Sequence, residues 1–122
     1  MEFKELYKIA NKLAKTKYLT EKSLSGRAAV AMLSSSGKLY TGQSLTVTCS
    51  LGFCAETSAI AKMLENNETK IIKMVVVYEG GKIISPCGKC RELMYQVDPE
   101  NLSCKIKLEK QIFTLKKLLP EL

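Results

Sequence analysis

Cys54-Ala55-Glu56 and Ser85-Pro86-Cys87-Gly88-Lys89-Cys90 constrain this chain more than any other stretch. Three cysteines offer three soft ligands to one tetrahedral Zn²⁺, and a fourth position is then left for water. A fold that uses them must bring two distant segments to a single point. Glu56 stands two residues past Cys54, where a carboxylate can move protons beside such an ion. A lone Cys-x-x-Cys would be a weak signal. Two fragments that agree are a strong one.

The bulk properties narrow the setting. A chain of 122 residues fits one domain, 1–122, with a single core. No apolar run approaches a membrane span, and the amino end alternates lysine with apolar residues instead of showing a signal-peptide core. We therefore expect a cytoplasmic protein with no membrane partner. Five cysteines, an odd number, argue for thiols and metal over disulfides. With no histidine in the chain, proton chemistry near neutral pH falls to a carboxylate or to metal-activated water, and a zinc site must be built from thiolate. The net charge of +7 comes almost wholly from lysine, since Arg27 and Arg91 are the only arginines. Lys4, Lys8, Lys12, Lys15 and Lys17 follow the polar face of the first helix instead of forming an arginine-rich patch with stacking aromatics. No nucleic-acid partner is expected.

Phe3, Leu6, Tyr7, Ala10, Leu13 and Ala14 recur at helical spacing and predict a first helix over about Glu2–Lys17. Arg27–Leu33 and Lys38–Gly42, with Ser34-Ser35-Ser36-Gly37 between, predict a hairpin. Gln43–Gly52 reads as polar and irregular, followed by a helix from Cys54 to about Asn66. Ile71–Tyr78 is β-branched and nearly continuous, as a strand covered on both faces would be. Lys82–Ile84 is short and extended, a helix follows from Cys87 to about Val97, Ser103–Leu108 reads as a late strand, and Thr114–Leu119 as a closing helix. This order predicts an α/β/α layer protein.

Both cysteine fragments fall at helix starts, where free N–H groups and the helix dipole favour thiolate. Cys87 and Cys90 share a face of the first turn. Three thiolates around Zn²⁺ leave a net single negative charge, which Lys89 and Arg91 are placed to offset. Cys104 reads as a small buried hydrophobe. Cys49 could complete a four-cysteine structural zinc site with Cys54, Cys87 and Cys90. Cys87-Gly88-Lys89-Cys90 also fits a dithiol oxidoreductase. Three classes stay open on the residues alone: zinc hydrolase, structural-zinc module and dithiol oxidoreductase.

From about Gly26 to Pro120 the chain resembles the cytidine deaminase superfamily, in its small three-cysteine branch of cytidine and blasticidin S deaminases. Leu33–Gly42 is similar to the hairpin before the active site there, and Ser85–Glu92 is especially close to the blasticidin S type. The resemblance implies a three-layer α/β/α fold with a central mixed β-sheet, Cys54, Cys87 and Cys90 as zinc ligands, and Glu56 as proton shuttle. Zinc would lower the pKa of its water toward about 7. Glu56 would carry that proton to ring N3 while hydroxide attacks C4 and ammonia leaves. The Ala55 N–H and Ser85 carbonyl would orient the base, with Ser44, Thr46 and Phe53 on the substrate side. Ser44 and Thr46 fall where the family carries the Asn and Glu that hold ribose, Thr57 replaces a common Arg, and Gly26 or a neighbour takes the place of a stacking aromatic. The implied reaction is deamination of a free nucleoside of the cytidine type, or of a nucleoside antibiotic such as blasticidin S. The implied assembly is a homotetramer, for which the first helix, Ile60–Leu64, Leu115, Leu118, Leu119 and Leu122 would supply apolar surface.

Overall fold

In chain order the computed structural model, which describes residues 1–120, runs α1 (Phe3–Leu13), β1 (Lys17–Thr20), β2 (Ser23–Ser34), β3 (Leu39–Thr46), α2 (Ala55–Glu65), β4 (Ile71–Tyr78), β5 (Lys82–Ile84), α3 (Gly88–Val97), β6 (Lys105–Lys107), β7 (Ile112–Thr114) and α4 (Leu115–Leu118). Short 3-10 turns stand at Thr48–Ser50 and Pro99–Ser103. The strands form one mixed sheet. β2 pairs antiparallel with β1, β3 and β4. One edge of β4 is shared: β5 lies antiparallel along Val76–Tyr78, and β6 lies parallel at Lys73 and Met74. β7 pairs antiparallel with β6.

Strand alternation builds two cores from the same two strands. Val30 and Met32 of β2 and Met74 and Val76 of β4 pack with Ala59, Ile60 and Met63 of α2 and Met94 of α3. Ala29, Ala31, Val75 and Val77 point the other way and meet Leu6 and Ala10 of α1. This is the expected α/β/α layering, with β4 buried on both faces. Ala29 and Ala31 of β2 face α1, and Met32, Met63, Met74 and Met94 fill the core under α2 and α3.

Several element bounds differ from those predicted. α1 stops at Leu13 instead of Lys17, because the chain then folds back onto β2. The Lys15 carbonyl comes so near Gly26, at φ +79°, that a Cβ there would stand 2.3 Å from it. Lys17–Thr20 becomes β1, and its exposed face gave no apolar alternation to read. Gln43–Thr46, read as irregular, continues β3 opposite Leu24–Ala29. β7 was missed because a three-residue strand is shorter than its pattern. Cys104 is fully buried as expected, but it follows the second 3-10 turn instead of lying inside a strand. The apolar surface expected of the leucines is mostly internal: Ile60 and Leu115 are buried, and Leu118 and Leu119 pack on the core. Only Leu64 of that set is half exposed, and Leu122 lies outside the described residues.

Candidate metal and active site

Two helix starts meet at the sheet edge that β4 shares between β5 and β6. Cys54 is the N-cap of α2 and Cys87 the N-cap of α3, both in extended backbone, and neither thiol caps its own helix. Their carbonyls accept the first helical bonds, from Ser58 N–H and Arg91 N–H, which leaves both side chains free to turn toward each other. Cys90 reaches the same point from the first turn of α3. The three Sγ atoms lie within 4.8 Å of one another, and Cys54 Sγ to Cys87 Sγ is 3.7 Å. Zn–S bonds of 2.3 Å in a tetrahedron require sulfurs about 3.8 Å apart. The donor set fits zinc.

Because Cys54 precedes the helix, the roughly 200° that separates i and i+2 on a regular helix does not keep it from Glu56. Glu56 is 4% exposed. Burial raises its pKa, against the lowering effect of its own backbone N–H and of the Cys90 thiol. The Cys54 thiol is raised too, first by burial and then by the Cys87 side chain. Burial also pushes Cys87 up, but the Cys90 N–H and the two neighbouring thiols hold it below its ordinary value overall. Cys90 is the most strongly raised, by burial and then by the Glu56 charge. Burial and the neighbouring groups thus favour thiolate more at Cys87 than at Cys54 or Cys90.

A cavity of 130 Å³ opens over these groups, bordered by Ser44, Ala55, Glu56 and Ser85 with Cys54 and Cys87. Its apolar sides are Ala28, Val76 and Ile84. Sequence reading missed those three. For the stacking position it pointed to Gly26 or a neighbour; Ala28 is the residue in the wall, and Gly26 lies under Lys15. Only the register of β2 against β3 distinguishes the two. Thr46 and Phe53 do not border this cavity. With Ser44, Cys54 and Lys89 they line an adjoining one of 370 Å³. The Ser44 hydroxyl accepts from the Ala28 N–H at 3.0 Å, fixing the partition between the two spaces.

Arg91 stands beside Cys90, but none of its hydrogen bonds goes to a thiol. Its guanidinium donates to Pro86 O (2.8 Å), Ser85 Oγ (2.7 Å) and Leu118 O (3.1 Å), clamping the segment before Cys87 to α4. Cys49 is exposed, at φ +58°, and the metal-competent group among the described residues does not include it. Cys104, its thiol raised to about 12 by burial, is equally apart.

Residues 1–106 match the family described as the cytidine and deoxycytidylate deaminase zinc-binding region. Among solved structures, the cytidine deaminase of Mycobacterium leprae is 27% identical, with a TM-score of 0.79 over 99% of this chain and 99% of that one. The Mycobacterium tuberculosis cytidine deaminase is 21% identical at a TM-score of 0.82, over 99% and 96%. The Bacillus anthracis cytidine deaminase is 23% identical at 0.72, over 98% and 87%. The matched span contains both cysteine fragments, and the fold brings them together with zinc-compatible spacing. This chain therefore belongs to the cytidine and deoxycytidylate deaminase family and is a zinc-dependent deaminase, a hydrolase.

Proposed function

We propose that the chain deaminates a free 4-aminopyrimidine nucleoside, of the cytidine or deoxycytidine type, to the uridine product and ammonia. The observation that carries this reading is one shared space: Glu56, Cys54, Cys87, Ala55 and Ser85 border the same 130 Å³ cavity. Sites for larger ligands run to roughly 300–1,000 Å³, so this one holds a single ring and sends the sugar into the adjoining space. Cys54, Cys87 and Cys90 are the ligands. Bound there, zinc supplies Lewis acidity and a water acidic enough to react near neutral pH.

Glu56 carries the protons. Burial raises its pKa, which makes the carboxylate the readier proton acceptor, and from it the proton is delivered to ring N3 and to the departing amine. The Ala55 N–H and Ser85 carbonyl meet the polar edge of the base, while Ala28, Val76 and Ile84 exclude water from its faces. A nucleoside antibiotic such as blasticidin S is the second reading. It is favoured by Ser44 and Thr46, which offer hydroxyls but no carboxylate to a ribose diol.

We include in this reading that residues 1–122 act as one unit, in the cytoplasm, as a homotetramer. Phe53, which lines the adjoining cavity, is 40% exposed, and Leu51, two residues before it, is 76% exposed, apolar surface that a neighbouring copy would cover. No described helix is long and apolar enough to cross a membrane. Light scattering should give four times the chain mass; a monomer at micromolar concentration contradicts the assembly. Ammonia release from cytidine, deoxycytidine, cytosine and blasticidin S tests the substrate. Turnover of a nucleoside is expected, and turnover of free cytosine alone would overturn it.

A further inference from the structure

A cavity of 410 Å³ opens on the α1 face of the sheet, and it shares no lining residue with the two spaces beside the thiols. Phe3 and Tyr7, four apart on α1, bring two rings to it from one helix face, and Ile83 of β5 supplies an aliphatic wall. The Tyr7 hydroxyl donates to Gly81 O at 2.7 Å, which ties α1 to the turn before β5. Gly81, at φ +92°, leaves room for that bond; a Cβ placed there would stand 3.0 Å from the Tyr7 oxygen. Lys4, Lys107 and Glu109 are the charged groups of the lining, and the two ion pairs among the described residues include none of them. Their balance is one positive charge. The Lys73 ammonium adds another close by, 5.1 Å from the centre of the Phe3 ring.

We propose that this cavity is a second ligand site, taking a small flat apolar molecule with one anionic group, and that its occupant tunes the base cavity through β5. Its volume falls within the roughly 300–1,000 Å³ of small-molecule sites, with their usual make-up of apolar walls and few polar groups. Two rings and an isoleucine suit a planar body. Ammoniums carried on apolar stems suit a carboxylate or sulfonate at its end. β5 is the partition between the two sites: Ile83 packs on the α1 side and Ile84 on the α2 side. Ile84 borders the base cavity, and so does Ser85, two residues before Cys87. The strand has only three residues, paired with Val76–Tyr78, so a ligand pressed on Ile83 moves Ile84 and Ser85 with it. An effect passed in this way is reciprocal: each ligand changes the affinity of the other by the same factor.

The test uses the zinc-loaded full chain and three indoles of one shape: indole-3-acetate, neutral indole-3-acetamide and cationic tryptamine. The chain has no tryptophan, so indole fluorescence reports the bound probe directly. Indole-3-acetate should bind about fivefold or more tighter than the acetamide, and tryptamine most weakly, with a preference that shrinks in added salt. Lys107→Glu should abolish the preference, and Glu109→Gln should strengthen it. Uridine and indole-3-acetate should bind together, each shifting the dissociation constant of the other by a common factor of about fivefold or more. Equal binding of the three indoles, or a preference untouched in Lys107→Glu, marks adventitious apolar binding and overturns the inference. Complete displacement of the indole by uridine places it in the base cavity, and independent binding removes the coupling; either result overturns it too. An oligomer that binds none of the probes assigns the cavity to a neighbouring copy, with the same consequence. Coupled binding with no ammonia from any nucleoside would spare this site and sink the proposed substrate.

Discussion

Gly42 of β3 touches the first residue of α2: a Cβ placed on it would stand 2.3 Å from the Ala55 carbonyl and 2.7 Å from the Ala59 nitrogen. Both neighbours are backbone, so neither can swing aside. Gly42→Ala must push α2 off the sheet, and with it Cys54 and Glu56. We expect a loss of about 1–3 kcal/mol and a melting temperature lower by roughly 5–15 °C. Zinc affinity should fall in parallel. An unchanged melt would show that the helix seats differently.

Arg91→Ala removes three bonds that tie Ser85 and Pro86 to α4. The expected cost is about 2–3 kcal/mol, since a charged donor leaves half-buried acceptors behind. KM should rise several-fold while bound zinc stays at one per chain. Arg91→Lys should rescue little, because an ammonium cannot reproduce the planar fork. A KM unchanged in both variants contradicts the clamp.

Glu68 gives a pH dependence of known sign. Ser36 Oγ donates to its Oε1 at 2.6 Å and the Tyr40 phenol donates to Oε2, which joins the hairpin turn to the segment after α2. These bonds, Ser36 first, lower its pKa from 4.5 to about 2. The folded form holds the carboxylate more tightly than the unfolded one. Its contribution is therefore full above pH 4.5 and is lost as pH falls toward 2. Glu68→Gln should be less stable than the parent near neutral pH, and denaturant melts should show the gap closing across that window. A constant gap would mean the carboxylate charge plays no part.

The cysteines separate by assay. Cys49→Ser should leave one zinc per chain. Cys87→Ser should weaken zinc by more than the roughly 10–100-fold that an outer partner is worth. Chelation should lower the melting temperature of the parent, because an ion bound only by the folded chain stabilises it. Zinc lost equally from Cys49→Ser would restore the four-cysteine site.

How much of this was readable in advance follows burial. The cysteine fragments and Glu56 were legible because metal chemistry demands particular residues at particular spacings. β4 was legible because a strand buried on both faces has to be apolar throughout. β1 and the second half of β3 were not, since Lys17–Thr20 and Gln43–Thr46 lie at an open edge or line a polar cavity, and neither pattern marks a strand. Ala28 was missed for a related reason. Its role depends on register across the irregular pairing between Ser25 and Ala29, and local sequence does not specify that register. Arg91 reads in the sequence as a neighbour of Cys90, and its hydrogen bonds to Ser85, Pro86 and Leu118 were not legible because they depend on where the fold brings α4.

The central claim is that a buried carboxylate beside a three-thiol metal site moves the protons of deamination. Glu56→Gln keeps the shape of the side chain and removes that capacity. Bound zinc and ammonia release should be measured on the same preparation, with the nucleoside that the parent turns over. The account predicts one zinc per chain, an unaltered melt and a loss of turnover on the order of 10²–10⁴-fold. Full metal occupancy with turnover retained would contradict it.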